Sequence, residues 1–294
     1  MARRAWTGAL RTPVGASAAV LLTVVALLAL VAPLLWSDRA EAVDTNQILQ
    51  GSSAAHWAGT DNLGRDVFFR VLVSTRLSVL LALSATGTGV AVGLLLGLAP
   101  MVLGVRAGRW ITATVNLAVA FPGLLLALVI VTVLGPGVTT VVLAVAISYI
   151  PIFARVAYGP TKSVRAQDYI SAAKVVGCGP IRIVGRHVLP VLSSELIVVI
   201  SSAIGWTTLL AATLDFLGFG IRPPSPDWGA DLSAGVQYLG QAWWISAAPG
   251  IAITVTILIA NYMGDFLASM TDPARLRQDR GKIKDTTTLI AGEG

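Results

Sequence analysis

Few side chains in this sequence are equipped for bond-making chemistry. Cys178, His56 and His187 are the only residues of their kinds, so a zinc or haem centre lacks the ligands it needs, and a disulfide framework lacks a second sulfur. No G-x-x-x-x-G-K-[ST] run is present to cradle a nucleotide phosphate. Packing roles are expected for Cys178 and His187. The carboxylates nearest the long apolar runs, Glu195, Asp215 and Asp265, stand at run ends. There they read as interfacial or helix-terminal charges, not as a buried relay, because an ionisable group at membrane depth is disfavoured by roughly 2.5–3.5 kcal/mol or more unless function retains it. An ion-driven pump therefore has no evident coupling group. A channel likewise has no charged ring or carbonyl-filter motif.

The elements that carry these residues are apolar. Of 294 residues, 55% are hydrophobic and only 12% charged, with mean hydropathy +0.77. A soluble globular chain carries about 25% charged residues, so this one cannot wet its own surface, and disorder fails on the same comparison. A polytopic membrane protein is the class that remains. The net charge of +6 fits basic residues at the cytoplasmic ends of spans, and no basic stripe interleaved with aromatics suggests nucleic acid.

A helix needs roughly 20 apolar residues to cross about 30 Å of hydrocarbon. The uncharged windows place the first span over 14–36 and the second over about 77–103. Residues 110–154 form a third window that at 1.5 Å per residue would be roughly 68 Å long, too long for one pass. Gly135-Pro136-Gly137 interrupts it and predicts a tight hairpin between spans three and four. The fifth span lies between Glu195 and Asp215, the sixth over about 242–264. Strand alternation is absent, which disfavours a barrel. The first run exceeds the 7–15 residues of a signal-peptide core and reads as an uncleaved helix, although Ala40-Glu41-Ala42 has the look of a cleavage site. The expected fold is an all-α membrane protein with six transmembrane helices and cytoplasmic helices between spans.

With the N-terminus inside, sixteen of the 21 basic residues fall on cytoplasmic segments, as the positive-inside rule asks. Both termini are then cytoplasmic. The expected organisation is a cytoplasmic N-terminus over 1–13, the first helix, an extracytoplasmic segment with an interfacial helix over 37–73, a core over 74–268 and a polar tail over 269–294. Gly89, Gly93 and Gly97 have small-xxx-small spacing and predict close helix packing, within the chain more than between chains. Pro122 predicts a kink in span three, either a gating bend or a static one.

The segment 158–192 is too long for a simple turn. Residues 161–176 read as a helix with Val164, Ile170, Ala173 and Val176 on one face, which Gly177 stops. Pro180 fits the first turn of a second short helix ending before Pro190. Such a basic elbow with an apolar face is either held by another protein or lies on the lipid surface.

Ser171-Ala172-Ala173, Gly177 six residues after Ser171, and Val188-Leu189-Pro190 resemble the EAA loop of ABC-importer permeases. The family pattern opens with Glu where this chain has Ser171, and Asp168 lies one turn earlier. Three further stretches are similar to the C-type permease subunits of dipeptide, oligopeptide and nickel importers. These are His56 to Val67, with Gly59-Thr60-Asp61 and Gly64-Arg65-Asp66; Phe216 to Gly229; and Trp243-Trp244 through Pro249-Gly250 and Asn261 to Asp272-Pro273. The outer stretch, rich in turn formers and paired charges, suits a capped interfacial helix with a structural role.

The resemblance implies that Asp168, Ser171, Ala172, Ala173, Gly177, Leu189 and Pro190 belong to a coupling helix seated in a cytoplasmic ATPase. It implies half of a translocation pathway completed by a second, related permease, two ATPase subunits or domains, and an extracytoplasmic solute-binding protein. Peptides are the expected cargo, in a bacterial inner or plasma membrane. No cofactor is expected on this chain, with ATP and Mg²⁺ on the partner ATPases, and no catalysis. A nickel or metal-chelate permease is the rival within the family; outside it, an ion-coupled secondary transporter or a membrane scaffold.

Overall fold

The computed structural model describes residues 13–221 and 223–271. The N-terminal segment before Pro13, the tail from Asp272, and Arg222 of the outer-loop motif lie outside the described residues. Nearly everything described is helical, with no strand beyond an isolated bridge between Thr60 and Asp66.

Helix α1 (Pro13–Glu41) exposes apolar side chains on most of its surface from Val20 to Leu35, as a lipid-facing helix must, and carries Asp38, Arg39 and Glu41 in its last turn. Helix α2 (Val67–Val119) starts ten residues earlier than the second hydrophobic window. The Asp66 carboxylate caps it by accepting from Phe69 N–H at 3.1 Å, so Arg70 and Arg76 lie within the helix. Gly104, with φ +88, divides α2 into a spanning part, Val67–Gly104, and a second part, Arg106–Val119. After Pro122 comes α3 (Gly123–Leu134), and the two segments flanking that proline meet at 93°. The expected kink is thus a near right-angle break. Proline has no N–H to continue the ladder, and Pro122 adopts an extended ψ of 123° as the N-cap of α3. Among the described residues, five helices are long and apolar enough to cross a membrane by themselves, and the bent pair makes up to six.

The hairpin expected at Gly135-Pro136-Gly137 is present, with φ +84 at Gly135 and +154 at Gly137. It leads into α4 (Val138–Arg165). Helix α5 (Asp168–Val175), the four-residue α6 (Pro180–Ile183) and a π turn over Val184–Val188 follow, leading into α7 (Leu189–Phe216). Helices α8 (Trp228–Val236) and α9 (Trp244–Thr271) complete the described chain.

The glycine stripe packs within the chain. A Cβ on Gly93 would lie 2.5 Å from that of Phe153, and one on Gly97 would lie 2.6 Å from the Ala154 carbonyl oxygen. Helices α2 and α4 therefore touch backbone to backbone. Leu81 and Ala85 of α2, Ala127 and Val131 of α3, Val141 and Val145 of α4 and Leu214 of α7 share one buried core. Thr86 and Thr207 hydroxyls, 2.8 Å apart, join α2 to α7 within it. At the end of the molecule that carries the elbow, the Ser17 and Tyr262 hydroxyls meet at 2.9 Å, so α1 begins beside the last turns of α9.

Candidate functional site: an elbow at one end and a brace at the other

Helix α5 begins with Asp168, a favourable charge at the positive end of a helix. It ends on a Schellman closure: Gly177 takes φ +86, its N–H donates to Lys174 O at 3.0 Å, and Cys178 N–H donates to Ala173 O at 2.9 Å. Pro180 occupies the first turn of α6, as expected. No separate second helix ends before Pro190, however. Leu189 N–H reaches back to Val184 O, and the chain stays helical from Pro180 to Phe216. A π turn immediately before a proline lets the helix pass a residue that cannot donate. Elbow and span are consequently one rod.

The inner face of the elbow is Val164, Ile170, Ile183, Val188, Leu192 and Leu196, all buried, resting on Leu94, Leu98 and Met101 of α2. Cys178 packs at its margin, and the Tyr169 and His187 rings meet at 5.7 Å. Val176 departs from the expected face: α5 has stopped at Val175, and Val176 is 83% exposed. With Val175 at 88% and Ile181 at 76%, it forms an outward apolar crest. Asp168, Ser171, Ala172 and Gly177 are exposed on the elbow, Ala173 is half-buried, and Leu189 and Pro190 are exposed where α7 begins.

The opposite end is braced by charge. The stretch 48–66 is a folded loop entering α2 directly; a three-residue 3₁₀ turn, Thr45–Gln47, precedes it, and no interfacial helix forms there. Asp61 accepts from Leu63 and Arg65 N–H and pairs with the Arg65 side chain at 2.6 Å, both groups buried. His56 bridges Asp66, at 2.8 Å, and Gln47. Thr60 donates its hydroxyl to Gln47 O and accepts Trp244 Nε1–H on its carbonyl at 3.1 Å. Gly64 is required: with φ +73, a Cβ there would fall 1.8 Å from Asp44 O. Gly59, at φ +74, has its Cβ position 2.6 Å from the Trp244 indole nitrogen.

Sequence reasoning singled out neither Arg70 nor the acids it meets. Buried Arg70 grips Asp231 of α8 through two nitrogens and donates to Ala40 O and Pro224 O, tying α1, α2, the outer loop and α8 together. Asp227 caps α8 through Ala230 N–H at 3.0 Å. It is 1% exposed, and its Oδ2 has no hydrogen-bond partner; neither has Oδ1 of Asp215, 3% exposed. Burial, reinforced by the nearby Asp231 charge, pushes the Asp227 carboxyl above the ordinary range against the pull of Ala230 N–H and Arg70. The available signal was an arginine four residues after a helix-capping Asp, which a window test discards as loop charge.

Among the described residues no group of three or more His, Cys, Asp or Glu is placed to hold a metal ion. What the arrangement can do is mechanical: an apolar crest at one end is joined rigidly to helices that an ionic brace binds at the other.

The sequence profile described as Binding-protein-dependent transport system inner membrane component matches residues 89–277. The "Probable D,D-dipeptide transport system permease protein DdpC" of Escherichia coli (strain K12) is 37% identical, over 89% of this chain and 88% of its own. The "Glutathione transport system permease protein GsiD" of Pectobacterium atrosepticum is 37% identical over 92% and 90%, and the "Di/tripeptide transport system permease protein DppC" of Pseudomonas aeruginosa is 38% identical over 76% and 74%. Among solved structures, a chain of the MetNI methionine ABC transporter in inward-facing conformations superposes with TM-score 0.56 at 16% identity, covering 70% of this chain and 98% of that one. That likeness concerns the fold.

Proposed function

This chain belongs to the binding-protein-dependent transport system inner membrane components, multi-pass permease subunits of ABC importers, and from that premise we propose that it forms half of a peptide translocation pathway worked by ATPases docked on the elbow. Small peptides are the cargo this reading assigns. The relatives are named for dipeptides, tripeptides and glutathione, which favours peptide over nickel or metal chelate and over an ion-coupled carrier. The second half of the pathway is a homologous permease, and a solute-binding protein delivers cargo to the braced end. The elbow and both termini face the cytoplasm, with sixteen of 21 basic residues on that side. ATP and Mg²⁺ belong to the ATPase pair, and this subunit catalyses no reaction.

The observation that carries the coupling is the crest of Val175, Val176 and Ile181, exposed to water in the isolated chain and rigidly backed by the elbow core. An apolar patch held out on a stiff support marks a protein contact. Closing the ATPase pair would move the crest, and the rod 180–216 would carry that displacement into the membrane. ATP binding favours one access state only through differential affinity for the two. Purification of the tagged chain from its own membranes tests this: an ATPase subunit at equal stoichiometry is expected, and its loss on Val176→Asp. Recovery without any ATPase would contradict the reading.

A further inference from the structure

On the elbow side, where α2 breaks at Gly104, an open cavity of about 100 Å³ lies between α2 and α4. Arg109, Lys162 and Arg165 line it together with Tyr158 and Thr161. Arg165 is anchored by donating to Pro100 O at 3.3 Å. Tyr158 also lines a shallow, mainly apolar groove along Leu96, Gly97, Ile111, Val115 and Ala154, edged by Thr112, Asn116 and Arg155. Arg109 in turn borders a third hollow beside Arg106 and the exposed Trp110. None of the three is lined by an Asp or Glu among the described residues.

We propose that this site binds one anionic glycerophospholipid from the cytoplasmic leaflet, its phosphate among Arg109, Lys162 and Arg165 and an acyl chain laid along the open groove of Leu96, Ile111 and Val115. Three cations with no carboxylate among them attract a phosphodiester and leave it no competitor. Two such guanidinium groups suit phosphate oxygens, which they can grip through paired N–H donors. The apolar groove adjoining at Tyr158 is what separates a lipid from free phosphate, because an inorganic ion has no use for it. Trp110 marks the level, since indole rings collect where headgroups meet hydrocarbon. Bound there, the lipid fills the space left between the Arg106–Val119 segment and α4, and its headgroup lies beside the last turn of α4 from which the elbow departs.

The assembled transporter, delipidated in detergent, is to be titrated with phosphatidylglycerol, phosphatidylcholine or inorganic phosphate while thermal unfolding is followed, and retained lipid is to be counted by native mass spectrometry. Phosphatidylglycerol is expected to raise the unfolding temperature and to remain bound at one per copy of this chain, with phosphatidylcholine and phosphate ineffective. Arg109→Gln should weaken retention about fivefold and Arg109→Gln with Lys162→Gln on the order of twentyfold, at roughly 1 kcal/mol per cation. Ile111→Trp, which fills the groove and leaves the cations alone, should also release the lipid. Equal effects of the two lipids, a full effect from inorganic phosphate, or undiminished lipid in Arg109→Gln would overturn the proposal. So would loss of the second permease in Ile111→Trp, which would assign the groove to a subunit interface.

Discussion

At the scale of single residues, Gly177 carries the sharpest demand. Open space surrounds its Cβ position, so a side chain there meets no clash; what it meets is φ +86, a left-handed conformation. A β-branched residue pays roughly 1–2 kcal/mol for it, whereas Asn tolerates it far better. Gly177→Val is accordingly expected to insert normally and to lower peptide uptake per ATP hydrolysed, with Gly177→Asn close to wild type; equal coupling in both would contradict the closure. Arg70 answers to a different term. Removing one member of a buried pair strands the other, so Arg70→Gln should destabilise by about 3 kcal/mol in detergent unfolding, and Asp231→Asn in the same chain should recover part of that. For Asp227 the sign follows from the raised carboxyl. The folded state holds the proton more tightly than the unfolded state, so this residue's contribution is fully present below the unfolded pKa, is lost as pH rises through the folded pKa, and does not change further above it. Asp227→Asn keeps the α8 cap, should raise stability at pH 8, and should flatten the pH dependence that appears as pH falls from 8 toward the ordinary carboxylate range; an unchanged slope would contradict the assignment.

At the scale of elements, legibility followed the covalent peculiarities of the chain. Gly135-Pro136-Gly137, Gly177 and Pro180 each act on the backbone locally, and hairpin, helix stop and helix start all stand where those residues are. The glycine stripe was legible for a similar reason, because a missing Cβ is visible in the sequence. What was not legible depended on direction. Hydrophobic counting sees that residues 106–134 can span, yet the 93° turn at Pro122 is set by which way the chain leaves the proline. The start of α2 was hidden by Arg70 and Arg76, which a window reads as polar loop although Arg70 is neutralised by Asp231 in three dimensions. Val176 was assigned to the wrong face because a periodic pattern gives no reason to end one residue sooner. Within the packed elements, Gly97→Val is expected to destabilise by roughly 1–3 kcal/mol through overpacking against Ala154 and Ala157, whereas Gly87→Ala, with nothing within 4 Å, should be neutral or slightly stabilising. Comparable losses in both would show that α2 and α4 do not meet along this stripe.

At the scale of the whole molecule, the proposed function makes the chain a lever. Among the described residues, the buried ionisable side chains Arg65, Arg70, Asp61, Asp66, Asp215 and Asp227 are gathered at the braced end, while the middles of the described spans carry apolar side chains and short hydroxyls such as Thr86 and Thr207. Under the proposed function, the chain's stiffness and its elbow let driving energy enter from the docked ATPases. The direct measurement is peptide uptake into sealed vesicles holding this permease and its homologous partner, with binding protein supplied on one side and the ATPase pair present or omitted. Uptake that requires ATP and the ATPases, that persists when ion gradients are collapsed, and that fails in Val176→Asp is the predicted result. Peptide accumulation driven by a proton or sodium gradient in vesicles lacking the ATPases would contradict it.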